Sequence, residues 1–221
     1  MPVSLHQFAS RSEASVALAQ SITRQLRQHL LSNDAATLIV SGGTSPLQVF
    51  STLAKTPLPW ARIHVLPSDE RKVDAADPAS NLGMIRRELA VDRAARAKLF
   101  DLQREGAEQH LTELPAPTVH TMLGMGADGH TASLFPTAPQ LAEALQSGDS
   151  MVDMSPPDSE HQRITLTAGK LLDSRRISLL IFGEDKRAVL NRAMLPGPTE
   201  QLPVRAVLHQ QRAPVDVYWS A

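Results

Sequence analysis

The chain has 221 residues, 42% of them hydrophobic and 20% charged, which fits a single α/β domain over residues 1–221 and excludes a disordered chain or a coiled coil. Its 22 Lys and Arg against 23 Asp and Glu leave a formal net charge of -1, so no whole-protein field would hold a nucleic acid, and any bound anion must be caught by a local site. There is no cysteine, which removes disulfides, thiolate zinc sites and cysteine nucleophiles and leaves the chemistry to His, Asp, Glu, Ser, Lys and Arg.

The first residues lack a basic segment followed by an apolar run, and no stretch approaches the roughly 20 apolar residues of a membrane span; a cytoplasmic protein without a membrane partner is expected. Ser10 and Glu13 fit a capping box, and Ala14, Leu18, Ile22, Leu26 and Leu30 recur every four residues as the buried stripe of a helix. Residues 37–40 then read as a buried strand, broken by Ser41, Gly42 and Gly43, with Pro46 suited to the first turn of a helix through Phe50 and Leu53. A second strand over 63–66 leads through a polar segment to a helix near 82–89. A third over 119–123 runs into GMGADGHTASLFP, and a fourth over 177–182 is followed by helical periodicity from Lys186. Residues 163–167 and 215–219 alternate as half-buried strands.

Strands alternating with helices predict a largely parallel sheet with helices on both faces, and in such sheets ligands bind beyond the carboxyl ends of the strands. The Pro-containing pieces 114–118 and 155–159 are expected as surface connections, either of which could serve as a lid.

Several loops carry residues suited to chemistry. Ser41, Gly42, Gly43, Thr44 and Ser45 precede a helix, where bare backbone N–H groups, two hydroxyls and the helix dipole could cradle an anion; a tight turn needing glycine only for its dihedrals is the equal alternative. His130 follows three glycines in the six residues 124–129, Gly126 among them, and its near-neutral intrinsic pKa suits it to take a proton from water. Asp128 is close enough to orient the imidazole; a solvated loop histidine is the alternative. Asp69, Glu70 and Arg71 offer a guanidinium fork for a phosphate or, equally, a surface ion cluster. Ser80 and Asn81 either cap the next helix or touch a ligand, and Arg163 and Lys186 are by default surface charges. No metal is expected, because Asp128 and His130 lack a partner cluster and no HExxH occurs; the absence of GxSxG argues against an acyl-serine and for direct attack by water.

SGGTSP at 41–46, DERKV at 69–73, SN at 80–81, GMGADGHTASLFP at 124–136, RITLT at 163–167 and the GEDK segment together resemble the 6-phosphogluconolactonase family, in family order and along nearly the whole chain. The resemblance implies a modified doubly wound (Rossmann-like) α/β fold, no cofactor, and hydrolysis of a phosphorylated sugar lactone in the oxidative pentose phosphate pathway by a monomer or homodimer. It implies His130 as general base with Asp128. It further implies a substrate-binding set of Ser41, Gly42, Gly43, Thr44, Ser45, Asp69, Glu70, Arg71, Ser80, Asn81, Gly126, Arg163 and Lys186. Two departures stand out. The glycine loop reads GGTSP where the family more often has GGSTP or GGTTP, which keeps two hydroxyls. Val73 is followed by Asp74 rather than proline, so the backbone leading to Ser80 and Asn81 is expected to differ.

Amino-sugar phosphate deaminases share the DGH loop but carry an acid and Asn-Glu-Pro further along, where this chain has Ser133, Leu134, Phe135 and Pro136. A non-catalytic sugar-phosphate sensor would need room for a helix-turn-helix segment, and the first helix runs straight into the strand at Thr37.

Overall fold

The computed structural model describes residues 3–157 and 159–221; Met1, Pro2 and Asp158, the last within the expected 155–159 connection, lie outside the described residues. In chain order the elements are β1 (Val3–Gln7), α1 (Arg11–His29), β2 (Ala36–Val40), α2 (Leu47–Ala54), β3 (Ile63–Pro67), β4 (Asp69–Arg71), α3 (Asn81–Glu88), β5 (Lys98–Leu99), α4 (Ala107–Thr112), β6 (His120–Leu123), α5 (Leu141–Gln146), β7 (Met151–Met154), β8 (Arg163–Leu166), α6 (Ala168–Leu172), β9 (Ile177–Phe182), α7 (Glu184–Met194), α8 (Arg205–Leu208) and β10 (Val215–Ser220). Among the described residues no helix is long and apolar enough to cross a membrane.

The expected parallel sheet is present, with seven strands in the order β1-β10-β9-β6-β2-β3-β5, every pair parallel. Six of them, read from β5 to β10, follow the 3-2-1-4-5-6 order of doubly wound folds, and β1 is added at the β10 edge. Alternation along each strand feeds two separate cores. Leu38, Val40, Leu180 and Tyr218 pack with the α1 stripe and with Phe50 of α2, while Ile39, Leu179, Ile181 and Trp219 pack with Val189 and Leu190 of α7 and Val207 of α8.

The N-terminal helix follows its sequence signature closely. Ser10 Oγ accepts from Glu13 N at 3.1 Å, and the Glu13 carboxylate in return accepts from Ala9 N rather than from the backbone of Ser10. Ala14, Leu18, Ile22 and Leu26 are fully buried.

Three expectations are corrected. The strand at 163–166 is mostly buried rather than half-buried, and as β8 it is the centre of a separate antiparallel sheet, β4-β8-β7. The C-terminal strand is not half-buried, because β10 lies between β1 and β9 with helices over both faces, and all six of its residues are buried. The 114–118 piece is no lid over the loops at the carboxyl ends. Pro115 O accepts from Thr37 Oγ1, and Thr118 bridges Ser174, at the amino-end side of the sheet.

His120 opens β6, the strand that leads into the DGH loop, and is fully buried with Nδ1 2.9 Å from Gln25 Oε1. Burial, and then the Arg176 charge, pull its pKa from the ordinary 6.5 down to about 3 against the opposing pull of Asp216. The unfolded chain therefore binds a proton that the folded chain refuses. The stability this neutral histidine allows is complete above about pH 6.5 and is lost as pH falls toward the folded value. Urea unfolding between about pH 6 and pH 4 is expected to contain a component of about 1.4 kcal/mol per pH unit from this group. His120→Gln should remove that component, and a slope unchanged by the substitution would assign the proton uptake to another group.

Candidate active site

Strands β2 and β6 are adjacent, and the chain proceeds from them in opposite directions across the sheet: β2 toward β3 and β5, β6 toward β9 and β10. Their following loops therefore part and leave a crevice at the carboxyl ends. The crevice is a cavity of about 290 Å³ that gathers Ser41, Gly42, Gly43, Thr44 and Ser45 from the first loop and Gly126 and His130 from the second.

The two loop glycines have different physical reasons. Gly43 has φ +85°, a left-handed conformation, with open space where a Cβ would stand. Gly42 instead lies against the Asn81 side-chain amide, and a Cβ there would overlap it. The backbone N–H groups of Gly43, Thr44 and Ser45 donate to no other described group, and α2 begins directly after them with Pro46 as its cap. The loop thus combines a conformational need for glycine at position 43 with a set of unspent donors beside it.

Strand periodicity decides the fate of Asp69, Glu70 and Arg71. In β4 the side chains at 69 and 71 share one face, and β4 pairs with β8 so that Asp69 faces Thr165 and Arg71 faces Arg163. Asp69 and Arg71 line the cavity with Arg163, Asn81 and Lys186. Glu70 points the other way. It is buried, and its carboxyl oxygens accept from Arg71 N at 2.7 Å, Ser80 Oγ at 3.1 Å, Asn81 N at 2.8 Å and Leu82 N at 2.7 Å, satisfying the start of α3. Ser80 is likewise buried and caps α3 through Gly83 N at 3.0 Å. The structure therefore places Glu70 and Ser80 behind the cavity wall, and their part is to hold Asn81, whose Nδ2 donates to Asp69 O at 2.7 Å.

The second loop closes on itself. Gly126 N donates to His130 O, Gly129 N to Gly126 O, and Thr131 Oγ1 to Gly124 O. His130 Nδ1 lies 2.6 Å from Asp128 Oδ1, and no described group hydrogen-bonds Nε2. A Cβ on Gly126 would collide with both members of this pair, so glycine is what gives them room. Burial raises the Asp128 carboxyl pKa, but the hydrogen bond from the imidazole and the His130 charge outweigh it and bring it below the ordinary carboxylate range. Asp128 itself lines a neighbouring hollow with Phe135, Ser159 and Arg163.

Phe135, which the sequence shows only as part of the DGHTASLFP run, covers the imidazole with ring centroids 4.3 Å apart and lies 5.2 Å from the Arg163 guanidinium carbon. Ser133 supports the site as well. Its Oγ donates to Asp69 Oδ2 at 2.6 Å, while Ser68 Oγ holds the other oxygen at 2.9 Å, so Asp69 is fixed from two sides.

The charge balance within the cavity is positive, since Arg71, Arg163 and Lys186 face one lining acid, Asp69. Arg71 Nη1 donates to Ala79 O at 2.6 Å, but its Nε is buried with no hydrogen-bond partner among the described residues. Burial, then the nearby Arg71, lowers the Arg163 pKa against Asp69 and Glu70, and a guanidinium stays charged through such a shift. Burial, then Arg11, lowers that of Lys186. Such a site favours an anion that brings its own charge. Among the described residues no group of three or more His, Asp or Glu is placed to hold a metal ion.

Glu70→Gln is expected to lower stability by about 2–4 kcal/mol in urea unfolding, because it turns an amide N–H₂ toward donors that lose their acceptor. Unchanged stability in that variant would refute the structural role of Glu70.

The geometry agrees with what the chain resembles. Residues 9–219 match the family described as glucosamine-6-phosphate isomerases/6-phosphogluconolactonase. A protein named 6-phosphogluconolactonase from Pseudomonas aeruginosa is 39% identical over 228 residues, covering 98% of this chain and 94% of the relative. One of the same name from Mesorhizobium japonicum is 36% identical, covering 96% and 93%. The crystal structure of a 6-phosphogluconolactonase from Shewanella baltica superposes with a TM-score of 0.96 at 36% identity, over 99% of this chain and 98% of that one. With this likeness in sequence and in fold over nearly the whole length, the chain belongs to the glucosamine-6-phosphate isomerase/6-phosphogluconolactonase family.

Proposed function

We propose that residues 1–221 act as one lactonase domain that hydrolyses 6-phospho-D-glucono-1,5-lactone to 6-phosphogluconate in the oxidative pentose phosphate pathway. The observation that carries the mechanism is the His130–Asp128 pair, 2.6 Å apart, at the rim of a cation-lined cavity. With Nδ1–H donated to Asp128, the lone pair of Nε2 is the one left to act as base. The tautomer is assigned from that hydrogen bond.

In this reading the N–H groups and hydroxyls of Gly43, Thr44 and Ser45, with Arg71 and Lys186, take the phosphate, because several charge-assisted donors offset its desolvation. His130 Nε2 removes a proton from water as the water oxygen bonds to the lactone carbonyl carbon. Arg163 or backbone N–H groups face the charge that grows on the carbonyl oxygen. Collapse of the tetrahedral species breaks the bond to the ring oxygen, which takes the proton back from the imidazolium and leaves as a hydroxyl. Asp128 keeps the ring oriented and stabilises its charged form, and Phe135 supports it from one face.

The deaminase alternative is disfavoured by the segment after the histidine. The hydroxyl of Ser133 is committed to Asp69, and Leu134 is buried in the core, so that stretch offers no carboxylate to work with the histidine. A cytoplasmic setting belongs to the same proposal, since a charged phosphate ester does not cross a bilayer unaided.

Purified protein mixed with freshly formed 6-phosphoglucono-lactone should release acid, followed with a pH indicator, while glucosamine 6-phosphate yields no ammonia; ammonia release alone would reverse the assignment. His130→Ala is expected to fold and to lose about 10²–10⁴ in kcat, and near-unchanged turnover would remove it from the mechanism. Arg71→Ala should weaken use of the phosphorylated lactone more than of an unphosphorylated one, and equal losses would refute a phosphate role.

A further inference from the structure

A second hollow, of about 740 Å³, lies away from the cavity around His130, on the amino-end side of the sheet where β6 and β9 begin. Its walls come from two distant parts of the chain: Arg24, Arg27, His29 and Leu31 from α1 and its end, and Arg175 and Arg176 from the turn before β9. Among the described residues no carboxylate lines it. Asp216, which pairs with Arg176, shares its other oxygen with His6, and the Arg24 and Arg175 side chains make no hydrogen bond or ion pair among the described residues.

The end of α1 accounts for part of this charge, because a helix C-terminus favours cations such as Arg27 and His29. It does not account for Arg24, a turn earlier, or for Arg175 and Arg176, which arrive from another element and face the same space. Like charges so placed repel one another unless an anion joins them. Guanidinium forks match phosphate oxygens in pairs, and Leu31, 76% exposed at the rim, offers an apolar surface next to them. The volume is within the range of small-molecule sites.

We propose that this groove is a second anion site, taking a small molecule with two or more linked phosphates, at the end of the sheet opposite the lactone cavity. Linked phosphates offer oxygens to cations on both walls at once.

The proposal is tested by isothermal calorimetry of the full chain with two probes, pyrophosphate and ADP, which share the linked phosphates and differ in the nucleoside. Saturable binding of either is expected, with orthophosphate about tenfold weaker or more. The double substitution Arg24→Ala/Arg175→Ala, at two exposed side chains, should weaken it by about tenfold or more and leave lactone turnover unchanged. Tighter binding of ADP than of pyrophosphate would assign the site to nucleotides, and the reverse to bare polyphosphate, either being the linked-phosphate chemistry proposed. Three results would overturn it: no binding of either probe; binding lost in Arg71→Ala but kept in the double variant, which puts the anion beside His130; or a poly-glutamate peptide bound as tightly, which makes the groove a docking face for acidic protein.

Discussion

Two parallel strands that sit side by side but send their chains in opposite directions cannot have their exit loops pack against each other, and the gap between β2 and β6 is the consequence. Every polar element of the site is arranged around that gap. The glycine loop leaves one strand and the histidine loop the other. The small β4-β8-β7 sheet stands beside them and supplies Asp69, Arg71 and Arg163 from paired positions. The two apolar clusters on either side of the main sheet fix the strands, and so fix the width of the gap.

What could be read directly from residues was whatever depends on short-range pattern. The stripe from Ala14 to Leu26, the buried run at the centre of β2 and the strand-loop-helix grammar around Gly42 all announce themselves, because periodicity and glycine placement are local. The positions of Asp69 and Arg71 could also have been separated from Glu70 by the period of two, once β4 was recognised as a strand. Three polar residues in a row, DER, carry no hydrophobic alternation, and so the strand was hidden.

The remainder depended on contacts between distant segments. Nothing in the sequence near β1 foretells its pairing with β10, since its residues after Val3 are exposed and an edge strand needs only a partner's free backbone groups. Ser133 looks like one more loop serine until the fold brings Asp69 to it, and Phe135 gains its place only when Arg163 and His130 arrive at its ring. The same holds for charge. A net charge of -1 describes the chain as a whole, yet folding collects Arg24, Arg27, Arg175 and Arg176 around one hollow.

The histidine loop ties its own ends together through its own backbone and Thr131, and carries both members of the His130–Asp128 pair within a span of three residues. The glycine loop hangs from a different strand. In the proposed mechanism, proton handling and phosphate binding therefore sit on different loops, at the ends of two adjacent strands. A lineage or a designer could reshape the grip on the substrate's far end, trading one charged head group for another, without having to rebuild the proton-handling machinery.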